Sequence, residues 1–168
     1  TLCQRSVRGK RDRFLVSTLC HPQTIEMLKT RANPLGIKIQ MFDETLEGSD
    51  LEKVVENWDD VFGLIVQYPS TDGSVRNYEQ LFKLAHDHQA LTIMATDLLA
   101  LVNLKSPGEL GADVAVGSSQ RFGVPLGLGG PHAAFLATKD AFKRTLPGRL
   151  VGQSIDRHGN PAYRLSLQ

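Results

Sequence analysis

Six residues, Val61 to Val66, read Val-Phe-Gly-Leu-Ile-Val and leave no polar face. A strand without a wet side has to be covered on both, which places it inside a sheet flanked by helices and favours parallel neighbours. The surrounding sequence supplies those neighbours. Phe14-Leu15-Val16 within Arg13–Ser17 reads as a strand, and His21-Pro22 opens a helix with proline in the first turn, where its missing N–H costs nothing. Ile25, Leu28 and Ala32 share one face of that helix, which should stop before Pro34. Ile37, Ile39 and Met41 alternate with Lys38 and Gln40, the pattern of an edge or outer strand. Gly48–Asn57 reads as a short helix with Leu51, Val54 and Val55 turned inward. Gln67-Tyr68-Pro69 ends the apolar strand and Asp72-Gly73 turns the chain. A helix over Asn77–His88 buries Tyr78, Leu81, Phe82 and Ala85. Leu91–Ala95 then reads as another buried strand. Strand and helix alternating in this way predict an α/β fold, an open three-layer α/β/α sheet of mostly parallel strands. Ligands of such sheets sit beyond the carboxyl ends of the strands.

Gly117 to Thr138 is the most unusual stretch. Five glycines and two prolines fall between Gly117 and His132, flanked by the strand-like runs Val114–Val116 and Ala133–Ala137. Glycine permits positive φ and close backbone approach while proline fixes φ, so the stretch predicts a rigid connection between two strands. It is not a phosphate-binding P-loop, because Gly130 is followed by Pro131 and His132 rather than by lysine and a helix. A dinucleotide fingerprint fails too, since the third position after Gly129 is His132. A connection with no ligand of its own stays open beside a functional loop. Beyond it, Lys139–Leu146 reads as a short helix and Leu150–Leu167 as a two-stranded hairpin around Arg157-His158-Gly159-Asn160.

With 168 residues and a net charge of +1, the chain suits one domain and lacks the basic excess of a nucleic-acid binder. No run approaches the roughly 18 apolar residues of a membrane span, and the basic stretch Arg5 to Arg13 lacks the apolar segment of a secretion signal. Cys3 and Cys20 have no metal-type spacing and suit unpaired thiols in a reducing compartment. The chain starts at Thr1 and stops at Gln168 directly after a strand-like run, which is expected of a piece of a longer polypeptide.

Several motifs carry a resemblance. Ser118-Ser119-Gln120-Arg121-Phe122-Gly123-Val124-Pro125, Gly129-Gly130-Pro131-His132, Pro147-Gly148-Arg149 and Pro161-Ala162-Tyr163-Arg164-Leu165 closely resemble the P-proteins of the glycine cleavage system. His21-Pro22-Gln23-Thr24, Gln67-Tyr68-Pro69, Ala95 to Leu101 and Ser106-Pro107-Gly108-Glu109 are similar to the same family in the same order, so the match spans essentially the whole chain.

The resemblance implies the large domain of a fold type I pyridoxal-phosphate (PLP) enzyme over residues 1–168, with the hairpin at about 150–167. In such enzymes a lysine directly after the strand corresponding to Val114–Val116 holds the aldehyde, and a carboxylate on an earlier strand end supports the pyridinium nitrogen. The working half of a P-protein carries a His-Lys pair before its glycine-rich loop, and laying that loop on Phe122–Pro131 puts Ser119 and Gln120 at those positions. An amide cannot form the imine. The aspartate position falls near Met94, with Asp97 about one helical turn later.

The implied reading is the non-catalytic, N-terminal half of a glycine decarboxylase. The whole enzyme would decarboxylate glycine on PLP and pass the aminomethyl unit to the lipoyl group of H-protein. The resemblance further implies a dimer with the catalytic half as partner, in a bacterial cytoplasm or a mitochondrial matrix. Asp97, Ser118, Ser119, Gln120, Arg121, Gly129, Gly130 and His132 are the vestigial or interface candidates, and Arg121–His132 is the part expected to reach the partner.

Simpler roles stay open for these residues. Asp97 can cap the Leu98–Leu101 turn, His132 can be an ordinary loop histidine, and Arg121 can pair with Asp113 or Glu109 instead of an anion. His86 and His88 face different sides of their helix and are expected to be solvated. Ser118 and Ser119 have no neighbouring histidine base of a hydrolase. An active fold type I enzyme of another branch would need a Schiff-base lysine, but Lys105 precedes the loop and Lys139 opens a helix beyond it. A dinucleotide-binding oxidoreductase domain would need the fingerprint that is absent.

Overall fold

The computed structural model describes residues 1–7, 11–45, 55, 57–130 and 132–165. Strands β1 (Arg13–Ser17), β2 (Lys38–Phe42), β3 (Val61–Tyr68), β4 (Leu91–Asp97), β5 (Val114–Ser118) and β6 (Ala134–Thr138) form one sheet in the order β2-β1-β3-β4-β5-β6. All neighbours are parallel except β5 and β6, which the glycine-rich stretch joins as an antiparallel pair. β3 lies inside the sheet with all eight residues buried, as its unbroken apolar run requires. β2 is the edge strand that its alternation predicts.

Helix α1 (Leu2–Ser6), helix α2 (Pro22–Ala32) and helix α3 (Glu79–Asp87) cover the sheet. On one face Tyr78, Leu81, Phe82 and Ala85 of the α3 region meet Leu15, Leu64, Val66 and Met94. The stripe read from sequence is therefore the buried one. On the other face Leu2 and Cys3 of α1 join Phe14, Val16, Phe62 and Ile65, with Ile25 and Leu28 of α2 partly buried against them. α2 ends at Ala32 and tightens into a 3₁₀ turn at Asn33–Leu35, since Pro34 cannot continue the helix. The expected helix over Gly48–Asn57 lies almost wholly outside the described residues, although Val55 within it is buried.

β4 differs from its expectation. Thr92, Met94 and Thr96 are buried, but Leu91, Ile93, Ala95 and Asp97 on the opposite face are only partly so. α3 packs on the first set, whereas in the second Leu91 packs toward α1 and Ile93, Ala95 and Asp97 border an open groove beside α2.

The short helix expected over Lys139–Leu146 is a 3₁₀ helix, Asp140–Thr145. Strands β7 (Val151–Ile155) and β8 (Pro161–Leu165) pair as a separate antiparallel hairpin. Its turn is held by Asp156 Oδ1, which accepts from the His158 and Asn160 amides at 2.7 and 2.9 Å. Among the described residues no helix is long and apolar enough to cross a membrane.

Candidate functional site

The groove holds about 1240 Å³ and runs along β3 to β6 toward the carboxyl ends of the parallel strands β3, β4 and β5 and the amino end of β6. Its floor is apolar, with Ile65, Ile93, Ala95 and Val116, because these alternate positions face away from α3. At the strand ends it turns polar, with Gln67, Asp97, Ser118, Gln120 and Arg121, and His21 stands at the rim opposite.

The backbone at Gly117 explains how the polar end is assembled. A Cβ there would lie 2.2 Å from the Thr96 carbonyl oxygen and 2.7 Å from the Phe135 ring, so only glycine lets β5 pass between β4 and the Phe135 side chain. Directly beyond, the Ser119 amide and hydroxyl both donate to the Ala133 carbonyl, at 2.8 and 3.0 Å, and close the base of the loop. The Gln120 amide donates to Ser118 Oγ at 3.1 Å and starts a 3₁₀ turn, Gln120–Phe122. Gln120 thereby faces the groove. Its Nε2 is shielded from water and has no hydrogen-bond partner among the described residues.

Asp97 and Arg121 are brought together as an ion pair, and Asp97 Oδ1 also accepts from the Leu99 amide at 3.1 Å. Asp97 thus does cap the following turn. The partners expected for Arg121, Asp113 and Glu109, are engaged elsewhere. Asp113 sits at the opposite end of β5, where its Oδ1 accepts from Lys139 at 2.7 Å and its Oδ2 contacts His86 at 2.8 Å and the Thr92 amide at 3.0 Å. Burial alone would raise the Asp113 carboxyl, but the hydrogen bonds from Lys139, Thr92 and His86 outweigh it and hold it below its ordinary 3.8. Glu109 accepts from the Ser106 amide and hydroxyl.

His86 is therefore not the merely solvated side chain expected, and His88 stacks on Trp58 with ring centres 5.1 Å apart. Both contacts join residues far apart in sequence, where local pattern carries no signal. A second polar cluster was also not anticipated. Buried Glu44 accepts from Tyr78 Oη at 2.7 Å and Ser70 Oγ at 2.9 Å, and burial pushes the Tyr78 phenol up.

Gly129, Gly130 and His132 lie outside the groove, on an exposed excursion of the same loop. Neither lysine considered from sequence enters the groove: Lys105 pairs with Glu79 at 2.9 Å and Lys139 with Asp113. Cys3 and Cys20 are buried free thiols, each pushed up to about 12 chiefly by desolvation. No three His, Cys, Asp or Glu side chains gather as metal ligands among the described residues.

The family model for the glycine cleavage system P-protein matches residues 1–168. The chain belongs to that family. Glycine dehydrogenase (decarboxylating) from Stenotrophomonas maltophilia (strain R551-3) is 53% identical over 168 residues, which cover all of this chain and 17% of that protein. The Agrobacterium fabrum protein of the same description is 53% identical over 167 residues, again 17% of its length. The P-protein segment here thus spans about a sixth of the curated relatives it matches.

Among solved structures, an inhibitor-bound glycine decarboxylase (P-protein) of the glycine cleavage system superposes with a TM-score of 0.82 at 38% identity, over 99% of this chain and 37% of that one. Cystathionine gamma synthase from Xanthomonas oryzae pv. oryzae shares the fold at a TM-score of 0.59 and 14% identity, over 80% of this chain and 34% of its own. The architecture is that of fold type I PLP enzymes.

PLP chemistry in such a fold needs a primary amine to hold the aldehyde. The described residues lining this groove include no lysine, its two glutamines, Gln67 and Gln120, offer only amides, and its one aspartate is occupied by Arg121. This donor set does not fit covalently held PLP.

Proposed function

We propose that this segment is the non-catalytic half of a P-protein, a PLP-enzyme fold that shapes and supports the site of its sibling half. In this reading the whole enzyme uses PLP to decarboxylate glycine and passes the aminomethyl unit to the lipoyl group of H-protein, and this segment performs none of that chemistry. Gln120 stands where a working half keeps its lysine, and Asp97 no longer serves a pyridinium. The enzyme is a dimer in which the loop Arg121–His132 reaches the catalytic half, on the same chain or on a second subunit.

The observation that carries the reading is the amine-free polar end of the groove. Its Gln120 Nε2 donates to nothing within the described residues. A buried donor left unpaired costs about 1–3 kcal/mol, so an acceptor brought by the rest of the enzyme would stabilise the arrangement. The loop fits the role of a contact element because it issues beside this amide and is exposed along most of its length.

Reduction of the PLP-loaded full enzyme with borohydride, followed by peptide mapping, tests the assignment. The pyridoxyl group is expected on a lysine outside these 168 residues. A pyridoxyl group on Lys105, Lys139 or any other lysine of the segment overturns it. Bulky residues at Gly129 or Gly130 are expected to lower activity or assembly of the full enzyme, because Gly129 has a φ of 90° and a Cβ on Gly130 would lie 3.1 Å from the Leu126 oxygen. Wild-type behaviour in both respects would count against the contact role.

A further inference from the structure

Gly127, Leu128 and Gly129 at the tip of the loop have φ values of 53°, 56° and 90°. Glycine takes these values readily, but leucine in the left-handed region is strained, because its Cβ crowds the following carbonyl oxygen. The turn is closed on its inner side by the Gly130 amide donating to the Leu126 oxygen at 2.6 Å, and a Cβ on Gly130 would lie 3.3 Å from the Gly127 oxygen. Leu128 is fully exposed, at 109%, and Leu126, which borders the groove, and Phe122 are exposed too, at 75% and 58%. From Phe122 to Pro131 the sequence has no charged residue. The tip is thus a strained, preorganised backbone that holds one branched apolar side chain clear of its own domain. Burying such a side chain against another apolar surface is favourable enough to offset the strain.

We propose that Leu128 is the anchor of this loop, seated in an uncharged apolar pocket on the catalytic half of the enzyme. This rests on the contact role argued above. Two observations select that occupant. The segment covers 17% of its curated relatives, so most of the enzyme's surface lies outside it. The loop also leaves the sheet at the end where Gln120 faces the groove with an unpaired donor, so the anchor projects from the same end of the sheet as the amide.

The test is made in the full enzyme with both halves present. In Leu128→Cys the introduced thiol is expected to react with a maleimide at least about tenfold more slowly in native than in unfolded enzyme, and equal rates overturn the proposal. Replacing Leu128 with a benzophenone amino acid and mapping the photo-crosslink identifies the occupant. A crosslink to the catalytic half supports the anchor. A crosslink within these 168 residues, in the same or a second copy, or no crosslink at all, overturns it.

If the substituted enzymes do not fold, hydrogen exchange of the unsubstituted one decides. The Leu128 and Gly129 amides donate to nothing among the described residues, so slowing by about tenfold supports seating and exchange at the unprotected rate refutes it. Free labelling with the pyridoxyl group still outside the segment removes only the anchor. A pyridoxyl group on a lysine of the segment removes the underlying reading.

Discussion

The two ends of β5 hold the same chemical pair, a carboxylate and a cation, in opposite settings. At the amino end Asp113 is buried and saturated by Lys139, His86 and Thr92. At the carboxyl end Asp97, 29% exposed at its side chain, meets Arg121, 54% exposed, beside an amide with no partner. Buried charges persist when every lone pair is used, whereas exposed pairs contribute little and are easily re-formed with water or another partner. One end of the strand is built for stability, and the other is left available.

The sharpest way to break this contrast is at Gly117, where the available end depends on a backbone fit. Gly117→Val should destabilise by roughly 3 kcal/mol or more, because the new side chain meets the Phe135 ring and, closer still, the Thr96 carbonyl oxygen, a backbone atom of the neighbouring strand that has no rotamer to move to. Loss of soluble protein or a large drop in the unfolding midpoint is the expected result. A midpoint within error of wild type would mean that the strand end has more room than the geometry gives it.

Alanine at the two aspartates compares the ends directly. Asp113→Ala should cost about 2–3 kcal/mol, since the buried Thr92 amide loses its acceptor while half-exposed Lys139 regains water. Asp97→Ala should cost only about 0.5–1 kcal/mol, the value of a cap and an exposed pair together. Urea unfolding of both variants checks the order, and equal losses would remove the distinction.

Acid sharpens the comparison further. The Asp113 carboxyl titrates below its unfolded value of about 3.8 when folded, so its contribution to stability is complete above that pH and disappears as pH falls through the lower folded value. The stability difference between wild type and Asp113→Asn should therefore hold steady at neutral pH and shrink below about pH 4. A difference that persists unchanged to pH 2 would assign the stabilisation to packing instead.

The sheet and its stable end follow patterns that sequence carries locally. The unbroken run of β3, the stripe Tyr78, Leu81, Phe82 and Ala85, and the alternation of β2 each express one periodicity, and each element formed where that periodicity put it. What pairs with what was less legible. Asp113 and Glu109 are both nearer to Arg121 in sequence than Asp97 is, and only the parallel registration of β4 with β5, Asp97 beside Ser118, makes Asp97 the near one in space. The half-open face of β4 was hidden for a related reason: Leu91, Ile93 and Ala95 are as apolar as a covered strand, and composition does not say what lies over them. Gln120 was legible only through the family resemblance, since a loop glutamine has no signature of its own.

The smallest effect is expected at the loop tip, and it separates folding from contact. Leucine at φ 56° carries left-handed strain that glycine lacks, so Leu128→Gly removes on the order of 1–2 kcal/mol of cost from the folded state. Glycine also enlarges the conformational freedom of the unfolded chain, which returns about 0.5–1 kcal/mol in the other direction. Because Leu128 is fully exposed in this segment, no burial is lost there, and the net change in this segment's stability should lie between about zero and a 1.5 kcal/mol gain. In the full enzyme the same substitution deletes the apolar side chain that the partner pocket would receive. Activity or assembly should then fall while the unfolding midpoint of this region stays level or rises, a combination that damage to folding cannot produce.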